Sequence, residues 1–170
     1  VSPVRKGKLI DVSGANEGGP LSPERAGGLP AGQLVKICFS GKFTEAEMKK
    51  KAIGSAGLVG YLGTNDARDV ARMIDEGDQK AALIFDAMAY QIAKEIGAMA
   101  TVINGKLDAV ILTGGLAYSE LLCRNIRRRV EFIGPVLVYP GEDEMQALAE
   151  GALRALKGDE KTKIYEEEVR

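Results

Sequence analysis

From residue 79 to residue 156 the sequence reads helix, strand, helix, strand, helix, and that order leaves few ways to fold. The first helix is predicted over about Gln79–Ile103, with Asp78 as its cap. Its apolar stripe is Ile84, Met88, Ile92, Ile96 and Ala100, one residue in four, with Gln79, Lys80, Lys94 and Glu95 off it. A strand is expected over Leu107–Thr113, where Ala109, Val110, Ile111 and Leu112 run without a polar break, the pattern of a strand buried on both faces. Gly114-Gly115 ends it, and a helix over about Ser119–Glu131 turns Leu122, Ile126 and Val130 inward. Val136–Tyr139 reads as the next buried strand, and Pro140-Gly141 turns the chain into a helix from about Asp143 to Leu156. Two successive buried strands joined by a helix imply a parallel pair with a right-handed crossover.

The upstream part adds different pieces. Lys6-Gly7 is a turn signal between a strand ending near Arg5 and another over Lys8–Val12, hence a hairpin. Residues 13–32 are dense in glycine and hold three of the six prolines, so they read as a long loop, a feature more often functional than idle. Short helices are expected at Leu34–Phe39 and, behind the capping box Thr44-Glu45-Ala46-Glu47, at Glu45–Ile53. A short strand is expected at Leu58–Leu62. Asn65 or Asp66 can cap a further helix with Val70, Met73 and Ile74 on its apolar face. The fold class is therefore α/β, a mixed β-sheet flanked by helices, with residues 158–170 as a charged tail.

Composition narrows the chemistry. With 23 basic and 24 acidic residues, no net field draws the chain to nucleic acid or to an anionic membrane. No apolar run approaches the length of a membrane helix. Cys38 and Cys123 stand far apart and outside any metal spacing, which suits a reducing, cytoplasmic compartment. The chain has no histidine, which excludes a Ser-His-Asp or Cys-His nucleophile and any histidine metal site within it. Carboxylates, guanidinium groups and backbone amides remain, the equipment for handling phosphate.

Four segments could do so. At the strand end Leu112-Thr113-Gly114-Gly115-Leu116-Ala117-Tyr118, two glycines let a flat ring or a phosphate approach the backbone, and a helix opens beyond them; a tight turn needing glycine is the plainer reading. Ser22-Pro23-Glu24-Arg25-Ala26-Gly27-Gly28 sets an arginine among Pro and Gly, where its guanidinium could meet a phosphoryl group or simply solvent. Gly141-Glu142-Asp143-Glu144 could hold Mg²⁺, or merely complement a helix dipole. Gly63-Thr64-Asn65-Asp66-Ala67-Arg68 could line a site or only cap a helix. Arg124, Arg127, Arg128 and Arg129 have no interleaved aromatics and read as a solvated helix face rather than a nucleic-acid patch.

Together these segments resemble the acetate and butyrate kinase family, more closely its butyrate kinase branch. The resemblance runs from Val4 to about Lys157 and rests on Ser22–Pro30, Gly57–Arg68, Leu112–Tyr118 and Tyr139–Met145, in that order. It implies an RNase H-like, actin-type ATPase lobe over residues 1–157 and reversible, ATP-dependent phosphorylation of butyrate or a related short or branched fatty acid, with Mg²⁺. By the same resemblance, Arg25 falls on the family's catalytic arginine. Asp66, Ala67 and Arg68, with Gly114, Gly115, Leu116, Ala117, Tyr118 and Ser119, fall on its ATP/ADP site. One of Glu142, Asp143 and Glu144, with Glu144 preferred, falls on its magnesium-related carboxylate. Leu116-Ala117-Tyr118 departs from the polar Gly-Glu-Asn of the acetate kinases.

The family pattern also implies an amino-terminal lobe, with a phosphate hairpin, an aspartate and a histidine that these residues do not contain. The expectation is a second lobe cut just after its first strand, inactive alone and usually homodimeric. Two other readings stand beside it: a non-catalytic nucleotide-binding or dimerisation module of the same fold, and a relative such as a sugar kinase.

Overall fold

The computed structural model describes residues 1–14, 18–162 and 164. The chain divides into two compact units, Val1–Pro140 and Gly141–Arg170. The first unit opens with a hairpin of β1 (Val4–Arg5) and β2 (Lys8–Leu9). Lys6 and Gly7 both take positive φ, 51° and 73°, the pairing of a tight primed turn whose twist matches its strands. The second strand stops at Leu9, short of the expected Val12.

Helices α1 (Ala31–Cys38), α2 (Glu45–Ala52), α3 (Gly57–Leu62), α4 (Ala67–Asp75) and α5 (Gln79–Val102) follow. Helix α1 begins three residues before the expected Leu34, since the Pro30 carbonyl already accepts from the amides of Gln33 and Leu34. The capping box of α2 closes in both directions: Thr44 Oγ1 accepts from the Glu47 amide (3.3 Å), and the Glu47 carboxylate accepts from the Thr44 amide (2.7 Å). The Asp78 carboxylate accepts from the amides of Lys80 and Ala81 (2.8 and 3.0 Å), as its place before α5 predicts.

The expected strand at Leu58–Leu62 is instead helix α3. Its first amides are satisfied from outside, Leu58 N–H by the Ser22 carbonyl (3.3 Å) and Val59 N–H by that of Pro23 (3.0 Å). Those two carbonyls meet the donor needs of a helix start, so a six-residue apolar run that periodicity cannot classify becomes helix.

Beyond α5, β3 (Val110–Gly114) leads through a 3₁₀ turn at Gly115–Tyr118 into α6 (Glu120–Val130) and then β4 (Val136–Pro140). The two strands pair in parallel, Val110 opposite Val136 through to Gly114 opposite Pro140. Both expected pairings are thus present, each as its own two-stranded sheet flanked by helices in an α/β unit. Neither parallel strand is buried on both faces. Val110 lies in the core, while Ile111, Leu137 and Tyr139, on the opposite face, are 60%, 43% and 59% exposed.

The core gathers on α5. Phe85, Leu58, Met88, Val70 and Val130 are fully buried. The stripe of α5 is offset from the expected one: Ala81, Phe85, Met88, Ala89, Ala93 and Ile96 are buried, and Ile84 and Ile92 only partly so. The helix packs against α6, α4 and α3 together, which widens its buried face beyond a single row. Nor are the α6 arginines all solvated, because Arg128 and Arg129 both reach Asp86 of α5 (3.2 and 2.8 Å).

The second unit contains helix α7 (Glu144–Lys157), closed by Gly158 at φ 78°. In the charged tail, residues 158–162 and 164 add no helix, and the rest lies outside the described residues. Among the described residues no helix is long and apolar enough to cross a membrane.

Candidate functional site

The loop carrying Arg25 is held at nearly every residue. Ser22 is buried; its Oγ accepts from the Arg25 amide (3.1 Å), and its own amide donates to the Arg25 carbonyl (3.2 Å). Arg25 forms an isolated antiparallel bridge with Ile53, the Ala26 amide donates to the Ala52 carbonyl (2.9 Å), and the Gly54 amide donates to the Glu24 carbonyl (2.7 Å). Two glycines make this close fit possible. Gly57, at φ 59°, leaves no room for a Cβ against the Ser22 carbonyl oxygen. Gly27, at φ 78°, would place one against the Gln91 amide oxygen, which already accepts from Leu21 N–H (2.9 Å).

Thr64–Arg68 forms the second piece. The Asp66 amide donates to Thr64 Oγ1 (3.1 Å), whose hydroxyl donates to Asp69 (3.0 Å). Asp66 caps α4 by accepting from the Arg68 amide (2.8 Å) and also binds the Arg68 guanidinium through Nε and Nη2 (Nη2 to Oδ2, 2.6 Å). These bonds, the guanidinium first and the amide second, hold the Asp66 carboxyl down at about 2. Arg72, one turn on from Arg68, pairs with Asp69 (2.8 Å).

The third piece is the turn after β3. Gly114 takes φ 86° and ψ 178°, open only to glycine. Gly115 has nothing within 4 Å of where a Cβ would stand, so its face is open. Ser119 Oγ accepts from the Leu122 amide to start α6 (3.3 Å), and the Cys123 thiol, pushed up by burial, donates to the Ala117 carbonyl (3.4 Å).

The second and third pieces face each other across a cleft of about 1140 Å³. Asp66, Ala67 and Arg68 line one wall and Gly115, Leu116, Tyr118 and Ser119 the other, with Tyr118 70% exposed. Gly114 shapes the turn without lining this cleft, and buried Ala117 faces an apolar cavity of about 1020 Å³ behind it. Ala71, Arg72 and Asp75 also line the cleft, and no motif in the sequence marks them. Their one available signal was spacing, since residues 71, 72 and 75 follow Arg68 at i+3, i+4 and i+7 on one helix face.

Such a cleft can admit a flat ring beside bare backbone and Tyr118, and its two guanidinium groups, although paired with Asp66 and Asp69, each keep further N–H groups for an anion. Arg25 is outside the lining, tied to it through Glu24, whose carboxylate accepts from Asn65 Nδ2 (2.7 Å). Glu142, Asp143 and Glu144 are exposed in the second unit. Among the described residues no three carboxylate or thiol groups gather to hold a metal ion.

The comparisons with known proteins agree with one another. Residues 1–148 match the model of the Acetokinase family. A protein of Caldanaerobacter subterraneus subsp. tengcongensis named "Probable butyrate kinase 2" is 56% identical over 165 residues, covering 97% of this chain and 47% of its own length. The chain thus spans about half the length of that relative. Among solved structures, the acetate kinase of Porphyromonas gingivalis superposes with a TM-score of 0.76 at 21% identity, covering 89% of this chain and 45% of that one. A propionate kinase of Francisella tularensis gives 0.75 at 23%, with 85% and 44% covered. The acetate kinase of Entamoeba histolytica gives 0.77 at 20%, with 89% and 48% covered. At these identities the superpositions establish the shared fold.

Proposed function

Because the chain belongs to the acetokinase family, we propose that the protein carrying it transfers the terminal phosphoryl group of ATP reversibly to a short-chain carboxylate, butyrate or a branched relative. The cleft is the observation that carries this reading, since it joins an open glycine wall and an exposed tyrosine to Arg68 and Arg72. A carboxylate oxygen attacks the terminal phosphorus, an O–P bond forms, and the P–O bond to ADP breaks. ADP keeps the electron pair, and no proton need move. The nucleotide lies in the cleft, with its phosphates toward the guanidinium groups. Arg25, on its fixed loop, stabilises charge on the equatorial oxygens.

Preference for the butyrate branch rests on the 56% identity to the probable butyrate kinase. Glu144 is the carboxylate proposed for Mg²⁺, which when bound would supply charge screening for phosphate. An amino-terminal lobe bringing the phosphate hairpin, and a homodimer, belong to the same proposal.

Calorimetric titration of the chain with Mg-ADP tests the cleft. Saturable binding is expected, abolished by Gly115→Val, a change that meets no protein atom within 4 Å at its Cβ. No binding by folded protein counts against the site. In the protein carrying this chain, Arg25→Ala should lower acyl phosphate formation, trapped as hydroxamate, by about a thousandfold. An unchanged rate would remove Arg25 from the chemistry.

A further inference from the structure

We propose that Glu24 and Asn65 form a positioning clasp that fixes the Arg25 loop to the wall of the nucleotide cleft, an inference that rests on the function proposed above. The bond joins side chains 41 residues apart, and each partner immediately precedes a candidate site residue: Glu24 before Arg25, Asn65 before Asp66. The other long-range bonds of the loop run elsewhere, to Ala52, Ile53 and Gly54, to the start of α3, and from Leu21 to Gln91. Glu24 is held at both ends, its carbonyl by the Gly54 amide (2.7 Å) and its carboxylate by Asn65 (2.7 Å). The two bonds thereby link the residue before Arg25 to the residue before the α4 cap.

A carboxylate only accepts, so Asn65 must present its NH₂. Asn65 lines the cleft, and its neighbour Asp66 is locked by the Arg68 guanidinium and amide. The clasp therefore joins a phosphoryl-stabilising guanidinium to a frame that already orients the nucleotide wall. Glu24 and Asn65 are both exposed, so they add little packing to the core. Their value lies in placement, because a displacement of about 1 Å can cost a hundredfold in rate.

The test takes Glu24→Ala, Glu24→Gln, Asn65→Ala and the double alanine variant, with two readouts. In the protein carrying this chain, each single alanine change should lower kcat for acyl phosphate about tenfold with the nucleotide KM moved less than about threefold, and the double variant should fall no further. Glu24→Gln keeps an acceptor for Asn65 and should recover most of the rate. Equal losses for Gln and Ala, or multiplying effects in the double variant, overturn the clasp.

Amide exchange on the chain alone supplies the second readout. Gly54 N–H, bound to the Glu24 carbonyl, should exchange about tenfold faster in Glu24→Ala and in Asn65→Ala, and at the original rate in Glu24→Gln. Unchanged exchange in both alanine variants also overturns the clasp. If the unsubstituted protein makes no acyl phosphate, the proposed function fails, and the exchange rates still decide the clasp.

Discussion

Gly57 and Gly115 stand in similar glycine-rich stretches yet bear different burdens. At Gly57 the backbone sits at φ 59° and a Cβ would run into the Ser22 carbonyl, so Gly57→Ala should cost about 2–4 kcal/mol in urea unfolding. Gly115→Ala, which meets nothing, should be close to neutral. Asp66 makes a pH prediction. Its carboxyl stands at about 2 in the folded chain against an ordinary 3.8, so the folded state favours the charged form. The stability it contributes is complete above the ordinary value and is lost as pH falls through about 2. Acid unfolding of Asp66→Asn should accordingly show a shallower fall between about pH 5 and pH 2, and an identical slope would remove the pairing from the acid response. The cap was legible in the sequence as Asn65 or Asp66, since either side chain can accept from the first amides of a helix. The guanidinium on the same carboxylate was not, since residue spacing does not state a rotamer.

Helix α5 shows what an element inherits from its neighbours. Its start was legible in Asp78, and Asp78→Ala should cost about 1 kcal/mol by losing the acceptor for two amides. Its buried face was legible only to within one row. A four-residue repeat points at Ile84 and Ile92, whereas packing against α6, α4 and α3 selects Phe85 and Ala89. Phe85→Ala should therefore cost about 3–5 kcal/mol, and Ile84→Ala distinctly less, in the same urea titration. Reversed values would mean that the periodic stripe, rather than the packed one, carries the core. Asp86 with Arg128 and Arg129 adds a partly exposed link between α5 and α6, and Asp86→Asn should cost under about 1 kcal/mol.

Over the whole molecule, the candidate site is made by approach rather than by sequence proximity. The cleft joins residues 65–75 to residues 115–121, and the Arg25 loop reaches it through one side-chain bond. The sequence by itself determined the order of the elements from residue 79 onward, the hairpin turn, the caps of α2 and α5, and the glycine stop after β3. Each of these follows from interactions spanning a few residues, where residue type and spacing are the whole cause. Only the tertiary structure decided that Leu58–Leu62 is helix, that Ile111, Leu137 and Tyr139 lie on an exposed sheet face, and that Arg72 lines the cleft. Those outcomes depend on which distant carbonyl meets an amide and which neighbour covers an apolar face, and such partners are chosen by packing the chain as a whole.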